Sequence, residues 1–157
     1  MRVLAAVLAV LTVAAGWAWW SAESPAQHRD EALRAGQRSL AVFNTLDHRR
    51  VDEGLRRWLE ESAGGLNEEF RRMSAESKDQ IRQARTVTEG RVTDAALTEL
   101  DGNAGTAKLI ASVEVAVTPD GGPPATKRNR YQADLLRTPS GWKTTSLTPV
   151  PLSAPGP

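Results

Sequence analysis

Two pairs of side chains in this sequence have the types that acid–base chemistry needs: Tyr131 with Asp134, and Asp47 with His48. A general base must reach its proton over a hydrogen bond, so the members of a working pair have to converge on one site. An offset of three along a strand sends Tyr131 and Asp134 to opposite faces. Asp47 and His48 adjoin at a helix end, where the commoner role of such a side chain is to cap the next helix. His28 stands apart from both. A zinc site wants several His, Cys or carboxylate ligands on one face, and this chain has two separated His and no Cys. Neither a glycine-rich phosphate loop nor a nucleophile elbow is present. The residues therefore predict a non-enzymatic chain with no catalytic residue, cofactor or metal.

The remaining candidates are aromatic or basic. Trp58, Tyr131 and Trp142 could line a ligand cavity, although one large aromatic per element is more often core. Lys127, Arg128 and Arg130 form a local basic cluster, read either as solvated charges guarding an edge strand or as a contact for anionic lipid.

The elements that must position these residues follow from periodicity. Leu33, Gly36, Leu40, Phe43 and Leu46 recur every three or four residues, which predicts an amphipathic helix opened by Pro25 behind Ser24. Val51, Leu55, Trp58 and Leu59 predict a second helix stopped by Gly64-Gly65. Leu66, Phe70 and Met73, then Ile81 and Ala84, extend helical character to about Arg85. Acid-then-base pairs four apart, Asp30 with Arg34, Asp52 with Arg56, Glu53 with Arg57 and Glu68 with Arg72, suit helix surfaces. From Thr86 β-branched residues take over, with strands expected at 87–100, 106–118, 128–138 and 142–148, separated by turn sequences at 101–103, 119–124 and 139–141. Leu109, Ala111, Val113, Val115 and Val117 share one parity and Lys108, Ser112 and Glu114 the other, as in a half-buried sheet. Helices followed by a meander of strands define an α+β domain, its helices packed on a curved four-stranded antiparallel sheet.

In front of that domain, residues 3–20 are uncharged and end in Trp17, Trp19 and Trp20. As a helix, these 18 residues span about 27 Å, close to the hydrocarbon thickness of a bilayer, and the Trp cluster suits a membrane interface. The expected layout is a cytoplasmic start at 1–2, a transmembrane anchor at 3–20, a stalk at 21–27, an exported domain at 28–150 outside the cell membrane and a disordered Pro-rich tail at 151–157. Cleavage of the N-terminal segment after export stays open. Beyond position 20 the chain carries 19 Lys and Arg against 19 Asp and Glu, a balance that argues against nucleic acid as a partner.

The segment Leu46-Asp47-His48-Arg49-Arg50-Val51-Asp52, Phe70 ahead of a polar helix containing Ser77-Lys78, and Lys127-Arg128-Asn129-Arg130-Tyr131 with Leu135, Arg137, Gly141, Trp142 and Pro149-Val150 resemble the Mce-associated membrane proteins of actinobacteria over residues 3–150. That resemblance implies a cystatin-like or NTF2-like cone exposed on the envelope side. It also implies an accessory or stabilising role in an Mce-type lipid or sterol import system, with subunits of that complex or related Mce-associated proteins as partners. Two alternatives stay open. One is an inner-membrane assembly subunit of a type IV-like secretion system, which has the same layout of one span and an exported domain; the other is a carrier domain holding a lipid ligand.

Overall fold

The computed structural model describes residues 25–151, so the expected anchor at 3–20, its Trp17, Trp19 and Trp20, and the tail beyond 151 lie outside the described residues. Among those described, no helix is long and apolar enough to cross a membrane. The elements run α1 (Pro25–Phe43), β1 (Leu46–Asp47), α2 (Val51–Glu61), α3 (Gly64–Arg71), α4 (Ala75–Ala84), β2 (Thr86–Asp101), β3 (Thr106–Pro119), β4 (Ala125–Thr138) and β5 (Gly141–Pro149). The five strands form one antiparallel sheet in sequence order. The architecture is α+β as expected, with five strands in place of four.

The additional strand is β1, two residues paired with Val87 and Thr88. It is too short to show alternation, and Leu46, expected on the first helix, lies in it. The buried stripe of α1 keeps the expected Gly36, Leu40 and Phe43 and adds Ala32, Ala35 and Ser39, with Leu33 half-buried at its margin. Most of these side chains are small, so the helix backbone approaches the sheet closely. A Cβ on Gly36 would sit 2.8 Å from Leu109 Cδ2. The sheet wraps α1, which packs mainly on β2 and on the edge strand β5. Residues 25–27, within the expected stalk, already belong to this helix.

Helix α2 ends before Gly64-Gly65. Ser62 is extended (φ −111, ψ 159) and bridges to Thr144 of β5, while the Ala63 N–H donates to the Thr144 carbonyl at 2.9 Å. This pairing stops the helix, and Gly64, at φ 55, begins α3. Ser74 then separates α3 from α4, its Oγ accepting from the Ser77 N–H as an N-cap. Of the expected surface pairs, Asp30 with Arg34, Glu53 with Arg57 and Glu68 with Arg72 form. Asp52 reaches Lys78 at 3.2 Å and Arg82 at 2.8 Å instead, tying α2 to α4.

Strand ends match the expected ranges within three residues. Along β3 the expected parity holds: Ala107, Leu109, Ala111, Val113 and Val115 are buried against α1 and the neighbouring strands. Three bulges interrupt the ladder, and each extra residue is a threonine: Thr93 and Thr98 in β2, Thr145 in β5. Each donates its hydroxyl to a carbonyl of the facing strand, that of Ser112 (3.2 Å), Lys108 (3.4 Å) and Asp134 (3.2 Å) respectively. A bulge bends its strand and strengthens the local twist, so these residues curve the sheet around α1.

Candidate interaction face

Alternation places two populations of side chains on the two faces of the sheet. The inner face is filled. Leu40, Leu109 and Ala133 are fully buried and Leu135 almost so, and Trp142, 4% exposed, belongs to the same cluster. Tyr131 packs on this core and donates its hydroxyl to Asn44 Oδ1 at 3.0 Å. Trp58 lies in a separate aromatic group, its ring 5.2 Å from Phe70, which in turn is 5.5 Å from Phe43. The indole N–H of Trp58 donates to the Val42 carbonyl at 2.9 Å. The three aromatics considered as cavity residues thus sit in packed surroundings, with Trp58 paired to Phe70.

The acid–base candidates do not converge. Tyr131 turns to the core and Asp134 lines a groove on the outer face. Asp47 does not cap α2, whose N-cap is Arg50 with no side-chain cap bond. Its Oδ1 accepts from the Arg49 N–H at 2.9 Å and from Arg49 Nε at 3.1 Å, closing the turn ahead of the helix. Those two hydrogen bonds from Arg49, backbone first, hold its carboxyl below the ordinary carboxylate value. His48 Nδ1 is buried without a hydrogen bond, 3.7 Å from the Asp47 carboxylate. That distance is too long for proton transfer, and the carboxylate is already held by arginine. His28 Nε2 meets Arg137 Nη1 at 2.9 Å, far from the other His in the chain order. Among the described residues no group of three or more His, Cys, Asp or Glu could hold a metal ion.

The outer face carries the sheet's charge. At one end Glu114 accepts from Arg91 Nη2 at 2.6 Å and from Arg128 Nε at 3.0 Å, and these bonds hold its carboxyl low. Arg130 lies beside this pair in a depression of about 320 Å³ shared with Asp94 and Ser112. The basic cluster of Lys127, Arg128 and Arg130 sits on β4, an inner strand. β5 pairs from Tyr131 onward and the Val150 N–H donates to the Arg130 carbonyl at 2.9 Å, so among the described residues Lys127 and Arg128 lie past that pairing, at a locally open edge.

At the other end Glu99, Thr106, Lys108, Asp134, Leu136 and Thr145 surround a groove of about 460 Å³. Glu99 and Lys108 face each other across the β2–β3 ladder, Nζ to Oε2 at 2.9 Å, and this hydrogen bond raises the lysine above its usual range. Asp134 faces Lys108 from β4, yet its Oδ1 is buried with no hydrogen-bond donor. Leu136 beside it is 37% exposed. Sequence reasoning weighed Asp134 only as a partner for Tyr131; the signal for the groove was the polar parity of β3, which includes Lys108.

The fold, helices packed on one antiparallel sheet, is NTF2-like, as in VirB8 structures. It is similar to an IcmL-like type IV secretion system protein from Legionella pneumophila (TM-score 0.64, 13% identity, 86% of this chain and 98% of that one). It is also similar to CagV, a VirB8 homolog of the type IV secretion system from Helicobacter pylori (TM-score 0.60, 13% identity, 76% and 96%). The periplasmic domain of DotI matches with TM-score 0.64 at 10% identity over 83% of this chain and 97% of that one. By sequence, the chain belongs to the family described as uncharacterized protein Rv1363c/MT1408-like, whose model matches residues 1–132. No curated protein matches it.

Proposed function

We propose that this chain is a non-enzymatic subunit of an envelope assembly of the type IV-like secretion kind. In this reading residues 3–20 anchor it in the membrane and its NTF2-like domain docks onto other subunits outside the cytoplasm. The observation that carries the reading is the division of the sheet. Its inner face is packed by Leu40, Leu109, Leu135 and Trp142, where the indole N–H of Trp142 is the lone buried polar group without a partner among the described residues of that cluster, while the charged side chains Glu99, Lys108, Glu114 and Asp134 look outward. A reaction or a carried lipid would want the reverse, an open interior with converging polar groups. The IcmL-like protein, CagV and the DotI periplasmic domain use the same fold in secretion systems or the periplasm, which fits this setting. Confinement to the bilayer surface raises the effective concentration of membrane-bound partners, so weak lateral contacts suffice.

A second reading, accessory subunit of an Mce-type lipid import system, draws on the sequence resemblance at residues 46–52 and 127–131. In the fold these residues make the β1 turn and the start of β4, with Tyr131 on the core, so they account for architecture more readily than for a particular partner. Crosslinking of the full-length protein in its native membrane, followed by mass spectrometry, separates the two. Secretion subunits among the adducts support the first reading, Mce-type subunits support the second, and a protein with no adducts counts against both.

A further inference from the structure

We infer that the groove between Glu99, Lys108, Asp134 and Leu136 docks a partner-subunit segment that carries a Lys or Arg beside aliphatic residues. This deepens the subunit reading above and rests on it.

The argument begins with the charges around the groove. Lys108 is committed to Glu99, and Asp101 at the rim accepts from the backbone N–H groups of Asn103 and Ala104 at 2.9 Å. Asp134 is left with a carboxylate oxygen that is shielded from water and receives no donor. A buried acceptor without a donor has lost its water and gained nothing, so the site favours an arriving N–H group, most strongly a cationic one. The carboxylate can turn about its terminal torsion to present either oxygen to the groove.

The surface around it is apolar enough to hold a stem. Leu136 and Ile110, the exposed large hydrophobic residues among those described, both lie on this outer face, Leu136 in the groove and Ile110 on the adjoining strand two positions from Lys108. Lysine and arginine bury their methylene stems on such surfaces while the head reaches a polar partner. The groove's volume is in the range of specific ligand sites.

Among the described residues the groove has no free cation of its own to offer Asp134. Within the domain, Lys108 is the basic residue lining the groove, and it is already paired.

The test uses the full-length protein in its native membrane with a photocrosslinking amino acid in place of Leu136, and a control in place of exposed Arg56 on α2. The expected result is an adduct at 136 to a partner peptide with a Lys or Arg within a few residues. Asp134→Asn lowers its yield about tenfold, and Asp134→Glu, which keeps the charge, holds it within about twofold. Thermal unfolding of both variants, matched to the parent, separates lost docking from lost folding. An adduct indifferent to Asp134→Asn, an adduct to lipid, or an adduct to a second copy of this chain overturns the inference. Partner adducts at 56 with none at 136 overturn it while leaving the subunit reading intact; no protein adduct at either position removes both.

Discussion

The hydroxyls of Ser39 and Thr144 meet 2.7 Å apart in the centre of the domain, joining α1 to β5 across 105 residues of chain. Ser39 also reaches the Gly36 carbonyl at 3.1 Å, so Thr144 is the natural donor between the two. Both residues are at most 1% exposed. Ser39→Ala therefore leaves a buried threonine hydroxyl without an acceptor and should cost about 1–3 kcal/mol. Adding Thr144→Val should cost less than the sum of the single changes, which a double-mutant cycle in urea unfolding measures.

Gly90 marks where the end of α1 rests on β2. A Cβ there would lie 2.5 Å from Asn44 Cβ and 3.0 Å from the Ala41 carbonyl oxygen. The obstacle includes helix backbone, which cannot swing aside as a side-chain end can. Gly90→Ala should destabilise the domain by about 1–3 kcal/mol despite the better strand propensity of alanine, read as a lowered urea midpoint at unchanged slope.

Deletion of Thr145 tests the bulge. Leu135 pairs with Thr144 and Asp134 with Ser146, so removing the extra residue closes the ladder in its existing register, and Leu147 keeps its place on the core opposite Ala133. What the deletion removes is the local bend of β5. Circular dichroism should show a single cooperative thermal transition at a lowered temperature for this deletion, whereas Thr145→Val, which loses only a hydroxyl, should melt within about 1.5 kcal/mol of the parent.

Acid should weaken the domain through Asp47 and Glu114. Both carboxyls are held below their ordinary values, Asp47 by hydrogen bonds from Arg49 and Glu114 by those from Arg91 and then Arg128. A carboxyl with a lower pKa folded than unfolded adds stability above the unfolded pKa, and that stability is lost as pH falls through the folded value. The melting temperature should thus fall below about pH 4, where the unfolded chain takes up protons first. A variant carrying Asp47→Asn and Glu114→Gln should start lower at neutral pH and show a shallower acid limb.

Much of the fold was legible because its signals are local. The alternation at Leu109 to Val115 and the turn sequences depend on neighbours a few residues away, and the strands formed where those signals stood. Gly64-Gly65 misled for the opposite reason. Its stop signal was overridden by Ser62 and Ala63 pairing with Thr144, a contact no helical pattern encodes. The small residues Ala32, Ala35 and Ser39 were likewise passed over on α1, because a stripe chosen for close approach to a sheet carries little hydrophobicity of its own.

By itself the sequence determined an α+β domain with helices first and an antiparallel meander after, a charge-balanced composition, and the placing of Tyr131 and Asp134 on opposite faces of their strand, since period and composition are properties of short stretches. Only the tertiary structure decided the fifth strand, the three threonine bulges and the groove that gathers Glu99, Lys108, Asp134 and Thr145 from four strands. Those features depend on register, and register is set by which distant strands pair and where an extra residue slips the ladder, a choice made by packing over the whole sheet.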